Sequence, residues 1–263
     1  MTITVIFILA ALVIYFLWKP KKRVVKPFPM QWGEILEESV SFYRHLDDEK
    51  RQDFQRKMMF FLSDIKITGV KTNVEDLDTI LIAASAVIPV FGFEEWDYGY
   101  IDEVMLYPTT FNEGFQFDNQ AEDKRILGMV GSGMLHGKMI LSRNALRNGF
   151  RNHTDKLNTA IHEFVHLLDK EDGTIDGIPQ ALLENQYSIP WLNMIHRKME
   201  DINLDKSDIR NYGGTSKIEF FAVASEYFFE RPDLFRRKHP ELFAMMVKCF
   251  GQEPMYKAKR KKK

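Results

Sequence analysis

Residues 155–168, DKLNTAIHEFVHLL, decide how the chain folds, and we predict that they form one α-helix. Apolar side chains recur along this stretch at the spacing of a buried helix face. They are Leu157, Ile161, Phe164, Val165, Leu167 and Leu168. The short motif HEFVH therefore lies inside a helical pattern, where its side chains have a defined direction.

The HEFVH motif, residues 162–166, predicts a zinc site. His162 and His166 are one helical turn apart and point the same way, so both imidazoles can reach one ion. Zinc with three protein ligands keeps a position for water, and Glu163 can take a proton from that water as general base. Asp169, one turn later, could orient a ligand imidazole or be an ordinary carboxylate at a helix end. The alternative is a chance match that only caps or solvates a helix.

A third zinc ligand has to come from elsewhere, because the residues after His166, LLDKEDG, supply no further histidine. Glu219 and Glu226 are candidates, since they lie seven residues apart on one face of a predicted helix over 216–229. Glu219 also has a local alternative, because its spacing from Ser216 is that of a capping box.

The rest of the chain predicts an α+β fold that is mainly helical, with a small mixed sheet before the motif helix. Beside that helix, the predicted helices are 32–43, 47–62, 73–91, 181–202, 216–229 and 239–250. The predicted strands are 66–71, 100–107 and 138–142 (KMILS at the last). The glycine-rich run GMVGSGMLHG, residues 128–137, matches no phosphate-binding pattern and is interpreted as turns.

The composition indicates one compact domain without disulfides. The chain has 263 residues, of which 45% are hydrophobic, enough for a sizeable core. Cys249 is the single cysteine, so no intrachain disulfide can form. A lone thiol in an apolar stretch fits a reducing compartment.

The net charge of −1 conceals an acidic body between two basic ends. Without the eleven basic residues of those ends, 25 basic residues remain against 37 acidic ones. The ends comprise Lys19, Lys21, Lys22, Arg23, Lys26, Lys257, Lys259, Arg260, Lys261, Lys262 and Lys263. We expect no nucleic acid partner for such a body. The basic tail, residues 257–263, is either a neighbour of anionic lipid or a solvated end.

The first segment predicts a membrane anchor over residues 1–18, followed by a basic linker over 19–29. Residues 2–18, TITVIFILAALVIYFLW, carry no charge and would span about 25 Å as a helix, near the lower limit for a bilayer. The basic cluster that follows favours a single-pass protein of the inner membrane with its catalytic body in the cytoplasm. A cleaved signal peptide and a buried core helix are the alternatives.

Several segments together resemble the Mlc titration factor A family of bacterial zinc peptidases. They are HEFVHLLD, IRNYGGTSKIEFFAVASEYFFERPDLF, WDYGYIDEVMLYPTTF and GKMILS. The resemblance covers most of residues 30–256. It implies a zincin-like peptidase domain over those residues, similar to the gluzincins and with a core related to anthrax lethal factor.

The resemblance also implies roles for individual residues. His162, His166 and Glu219 would bind Zn²⁺, and Glu163 would be the base. Tyr212 would stabilise the developing oxyanion. The alternative for Tyr212 is an ordinary aromatic residue in a loop, beside Gly213 and Gly214. The family resemblance further implies a limited, aminopeptidase-like activity on peptides, with KMILS as the edge strand along which substrate extends.

Two classes of function follow from these features. The main hypothesis is a membrane-anchored zinc metallopeptidase that acts on a peptide or protein substrate. The alternative is a regulatory protein that binds and sequesters a transcription factor at the membrane, with the zinc site secondary. The partner implied by the resemblance is a transcriptional repressor of the Mlc kind. A membrane-proximal scaffold without metal is a third possibility, and the intact Glu163 favours catalysis.

Overall fold

The computed structural model describes residues 24–109, 128–130, 136–152, 154–179, 182–183 and 187–254. The helices of this part of the chain are α1 (Trp32–Ser39), α2 (Ser41–Arg44), α3 (Asp48–Asp64), α4 (Asp76–Val90), α5 (Arg143–Arg151), α6 (Thr159–Asp169), α7 (Ser188–Asn203), α8 (Lys217–Glu230), α9 (Pro232–Lys238) and α10 (Pro240–Phe250). The strands are β1 (Lys66–Gly69), β2 (Glu103–Tyr107), β3 (Gly128–Val130) and β4 (Lys138–Ser142). The prediction of a mainly helical α+β fold is confirmed.

The four strands form one mixed sheet in the order β1-β2-β4-β3. β1 pairs with β2, and β2 with β4, in parallel, whereas β3 runs antiparallel to β4. The small mixed sheet before the motif helix is thus confirmed, with two corrections. The glycine-rich run begins with strand β3 rather than a turn. KMILS, which is β4, lies between β2 and β3 and is not an edge strand.

The motif helix α6 begins later than the sequence predicts. Lys156 has φ of 60°, in the left-handed region that an α-helix excludes, so a helix cannot run on from Asp155. Asn158 takes the N-cap position, and its side chain accepts a hydrogen bond from the Ile161 amide at 3.2 Å. The cap lies one residue before Thr159 and stabilises the first turn of the helix, which begins there.

Other helices differ from the prediction as well. The predicted helix over 32–43 divides at Val40, whose backbone is extended. The predicted helix over 181–202 begins only at Ser188. Helices α5 and α9 were not predicted. α5 is short and mostly polar, and it depends on a cap in which the Ser142 hydroxyl accepts from the Ala145 amide at 3.3 Å.

Helix α6 lies at the centre of the packing, where it contacts α4, α8 and the β3–β4 end of the sheet. Its Phe164 is fully buried and makes ring contacts with Phe61 and Tyr98, with centroid distances of 5.6 and 5.1 Å. The apolar side of the motif helix is therefore buried in the core, and the side that carries His162 and His166 faces α8.

The predicted single-pass location in the inner membrane, with the body in the cytoplasm, needs correction. Within the described residues, no helix is both long and apolar enough to cross a membrane. The most apolar of them, α4, has 15 residues and is about 22 Å long, against about 30 Å for a hydrocarbon core. The predicted anchor, residues 1–18, and the basic tail, residues 257–263, lie outside the described residues.

We expect Phe164→Ala to lower the free energy of unfolding of the metal-free protein by about 3–5 kcal/mol, because it opens a cavity behind the motif helix. Denaturant unfolding would measure the loss. Ile189→Ala is the matched control, since Ile189 is 72% exposed and its truncation should cost less than about 0.5 kcal/mol. Equal, small losses for both variants would contradict the central position of α6.

Candidate metal centre

Three side chains from α6 and α8 converge on one point. His162 Nε2 lies 3.0 Å from Glu219 Oε2 and 3.1 Å from His166 Nε2. The remaining distance, from His166 Nε2 to Glu219 Oε2, is 3.8 Å. These three residues form a group that could hold a metal ion.

The donor set fits a zinc ion. A tetrahedral zinc ion with bonds of about 2.0–2.1 Å separates its ligand atoms by roughly 3.3 Å, which lies inside the range of the three distances above. Two imidazole nitrogens and one carboxylate oxygen are also the ligand types of catalytic zinc sites with an open fourth position. In chemistry and spacing, the cluster is suited to such an ion.

The capping alternative for Glu219 involves its backbone amide in the structure, whereas its carboxylate is directed to the cluster. Its backbone amide donates to the Ser216 hydroxyl at 3.1 Å, which is the N-cap of α8. Its carboxylate meanwhile faces His162 and His166. The cap therefore positions the first turn of α8 and leaves the charged group available to the centre.

Glu226 lies behind His162 rather than in the cluster. Its Oε1 accepts from His162 Nδ1 at 2.8 Å, and its Oε2 accepts from the Asn158 amide at 2.6 Å. Arg210 also donates to Oε1, and the carboxylate is fully buried. Nδ1 of His162 donates to Glu226, so Nε2 is the ring atom that faces the centre and that would bind an ion once it has lost its proton.

Asp169 supports the site in a different way from the one considered in the sequence. His166 Nδ1 is buried and has no hydrogen-bond partner among the described residues, so Asp169 does not orient that ring. Asp169 Oδ2 instead accepts from the Gly177 amide at 2.8 Å. Gly177 has φ of 77° and packs so tightly on the backbone of Lys217 that a side chain there would clash. This contact seats the loop after α6 against the start of α8.

The electrostatics of the centre favour positive charge. Burial alone would lower the pKa of His162, but the hydrogen bonds to Glu219 and Glu226 outweigh it and raise that pKa to about 10. Burial and the neighbouring charge of His162 lower the pKa of His166 to about 4. Two carboxylates therefore favour a cation at the point where the imidazole nitrogens meet.

Glu163 is buried beside the first histidine, with only 6% of its surface exposed. Burial raises the pKa of its carboxyl to about 7; the charge of His162 partly offsets this, while Glu219 and Glu226 add to it. A carboxyl group with a pKa near neutrality can both accept and return a proton at physiological pH.

Tyr212 lies on the solvent side of the centre, on a 3₁₀ turn over Asn211–Gly214. Its ring stacks on His162, with centroids 6.1 Å apart and an interplanar angle of 28°. Burial, the charge of Glu219 and a hydrogen bond between the phenol and Glu219 raise the pKa of Tyr212 to about 12. The phenol therefore keeps its proton near neutral pH and is 51% exposed at the mouth of the site.

Asn158 and Arg210 are parts of this arrangement that the sequence does not single out. Asn is a preferred N-cap residue, so Asn158 could have been found as the start of the motif helix. Arg210 lies on an irregular segment where periodicity gives no signal. Its contact with Glu226 joins residues that are 16 positions apart.

A helix with two histidines one turn apart, a glutamate between them and a carboxylate from a later helix defines the metallopeptidase class of site. The comparison with family models agrees. The chain belongs to the family of glucose-regulated metallo-peptidases M90, whose model matches residues 16–251.

Individual relatives extend this similarity along almost the whole chain. The chain is 27% identical over 251 residues to an uncharacterised protein of Synechocystis, with 90% of each chain covered. It is 29% identical to Mlc titration factor A of Cronobacter sakazakii, covering 86% of this chain and 88% of that protein. The same protein of Escherichia fergusonii is also 29% identical, covering 90% and 91%. The resemblance to the Mlc titration factor A family is confirmed.

We expect Glu219→Gln to weaken zinc binding more than about a hundredfold, because it replaces the anionic donor of the cluster with a neutral amide. The backbone amide of residue 219 still donates to the Ser216 hydroxyl, so the melting temperature of the metal-free protein should change by only a few degrees. Competition with a chromogenic chelator would measure affinity.

Glu226→Gln is the comparison variant, and it should weaken zinc binding by about tenfold, since Glu226 acts through His162. The opposite ranking of the two variants would make Glu226 the ligand and leave Glu219 as a capping residue alone.

Proposed function

We propose that this chain is a zinc-dependent peptidase that hydrolyses peptide bonds with a metal-activated water. The observation that carries the proposal is the convergence of His162, His166 and Glu219 on one point, with Glu163 buried next to it. Membership of a metallopeptidase family supports the same class of reaction.

His162, His166 and Glu219 are the residues that would hold the zinc ion. When bound, zinc supplies Lewis acidity and lowers the pKa of a water molecule towards neutrality. The protein's own contribution is to fix the ligands in advance. Glu226 orients the His162 ring, and the Ser216 cap holds the first turn of α8, so binding requires little rearrangement.

Glu163 moves the proton during hydrolysis. Its carboxylate takes the proton from the attacking water as the oxygen bonds to the scissile carbonyl carbon. The same carboxyl then passes that proton to the leaving nitrogen as the carbon–nitrogen bond breaks. The Tyr212 phenol donates a hydrogen bond to the carbonyl oxygen while that oxygen gains negative charge. Its exposed position at the mouth of the site allows this contact.

The substrate class that we propose is a peptide bound in extended form, with aminopeptidase-like cleavage as the family resemblance implies. β4 has both edges paired, so among the described strands β3 is the one at this end of the sheet to which a peptide would add. β3 packs against the motif helix, which supports it as the strand beside the reacting bond.

A regulatory binding function is the second candidate, and the names of the relatives favour it. Proteins named Mlc titration factor A align with most of this chain. A repressor of the Mlc kind would then be a bound partner rather than a substrate. Binding a repressor would not require the buried carboxylate of Glu163, whereas peptide hydrolysis would. Substitution of Glu163 therefore distinguishes the two candidates.

We expect Glu163→Gln to keep zinc and to lower kcat for peptide hydrolysis by about 10²–10⁴-fold, since the amide cannot accept a proton. A peptide library incubated with each metal-loaded protein, analysed by mass spectrometry, would measure turnover. A chelator-treated wild type is the control. Undiminished turnover in the variant would show that Glu163 is not the base. No turnover in the metal-loaded wild type would end the peptidase proposal, and intact repressor binding in that protein would favour the regulatory one.

We expect Tyr212→Phe to lower kcat by about 10²–10³-fold and to weaken zinc binding far less than Glu219→Gln does, because the variant loses a donor to the developing oxyanion and one hydrogen bond to Glu219 but no metal ligand. Steady-state kinetics on the best library peptide, with a parallel zinc titration, would test this. Tyr187→Phe, a tyrosine at the start of α7, is the control for a general effect of losing a phenol.

A further inference from the structure

Arg210 forms a bridge between two parts of the site that are far apart in sequence. Its Nε donates to the backbone carbonyl of Lys156 at 3.2 Å, two residues before the N-cap of the motif helix. Its Nη2 donates to Glu226 Oε1, the same oxygen that accepts from His162 Nδ1. The guanidinium group thus contacts both the segment that starts α6 and the carboxylate that orients His162.

The bridge also fixes the turn that carries Tyr212. Arg210 is two residues before Tyr212, and Asp208, two residues earlier, anchors the same segment from the other side. Asp208 accepts from Lys156 Nζ at 3.0 Å, from the Tyr227 hydroxyl at 2.7 Å and from His239 Nε2 at 2.7 Å. These contacts hold residues 208 and 210, so the backbone that leads into the Tyr212 turn is anchored at two points.

The charge of Arg210 matters because Glu226 is fully buried. A buried carboxylate without a cation is costly. Without Arg210, only the Asn158 amide and His162 would hold the Glu226 carboxylate, and Oε1 would have one donor fewer to fix it against the imidazole. Arg210 balances that charge while its geometry leaves Oε1 accessible to the histidine.

We propose that Arg210 is a positioning residue that couples the Tyr212 turn to the metal ligand His162 through Glu226. This inference rests on the proposed function, because it concerns zinc affinity and peptide hydrolysis at the same site. Lysine cannot replace arginine here, since its single ammonium group cannot reproduce the two separate directions of the Nε and Nη2 bonds.

The test is a double-mutant cycle on the full chain, with zinc affinity as the first readout. Arg210→Met and Glu226→Gln should each weaken zinc binding by about tenfold. Because both act through His162, the double variant should bind zinc within about twofold of Glu226→Gln alone. Fully additive losses, or wild-type zinc affinity in Arg210→Met, would overturn the proposal.

The second readout is hydrolysis at saturating zinc. Arg210→Met should lower kcat at least about tenfold with KM nearly unchanged, because Tyr212 acts on the developing charge rather than on ground-state binding. Arg210→Lys should recover part of the zinc affinity and little of kcat. It also serves as the informative variant if Arg210→Met does not fold.

Arg147→Met is the matched control for a purely structural arginine. Arg147 also pairs with a fully buried carboxylate, Asp78, but it does so on α4 and α5, away from the metal centre. Its loss should lower the stability of the metal-free protein and leave zinc affinity and kcat unchanged. A wild-type protein that neither binds zinc nor cleaves peptides would refute the proposed function. Functional wild type with unaffected Arg210 variants would refute this inference alone.

Discussion

The hydrogen bond between Glu226 and His162 is the interaction on which the candidate site depends. The buried Glu226 carboxylate accepts hydrogen bonds from three groups. They are the backbone amide of Asn158 at the start of α6, Nδ1 of His162 and the guanidinium of Arg210 in the turn before α8. Each of these groups would be poorly placed without the other two. Because all three meet inside the core, the orientation of the first ligand is decided by packing before any ion arrives.

This constraint explains why polar groups gather on one side of an otherwise apolar helix. The side of α6 that carries Phe164 is enclosed by α4 and by aromatic rings, whereas the opposite side meets carboxylates of α8. Burying this many carboxylates is expensive unless a positive charge lies between them. Arg210 supplies one such charge behind His162, and the proposed metal ion would supply the other.

The sequence predicts the parts of the site that local periodicity controls, and it fails where distant segments decide. The two motif histidines share a helix, and Glu219 interrupts an apolar stripe on another, so both signals are visible in short windows. The contact from His162 to Glu226 spans 64 residues, and Arg210 has no periodic neighbour that could reveal it. Likewise, KMILS has strand composition, but its interior position depends on pairing with β2 and β3. The late start of α6 follows from the backbone of Lys156, which composition does not encode.

The ligands of the proposed metal come from two helices that are already packed against each other within a continuous apolar core. Folding and metal uptake are therefore separate equilibria, unlike in a zinc finger, where one cannot occur without the other. An ion at a hundred times its dissociation constant would add about 2.7 kcal/mol to the stability of a fold that exists without it. Chelation would remove the ion and leave the fold intact. The zinc supply would then set the fraction of the folded protein that carries the ion.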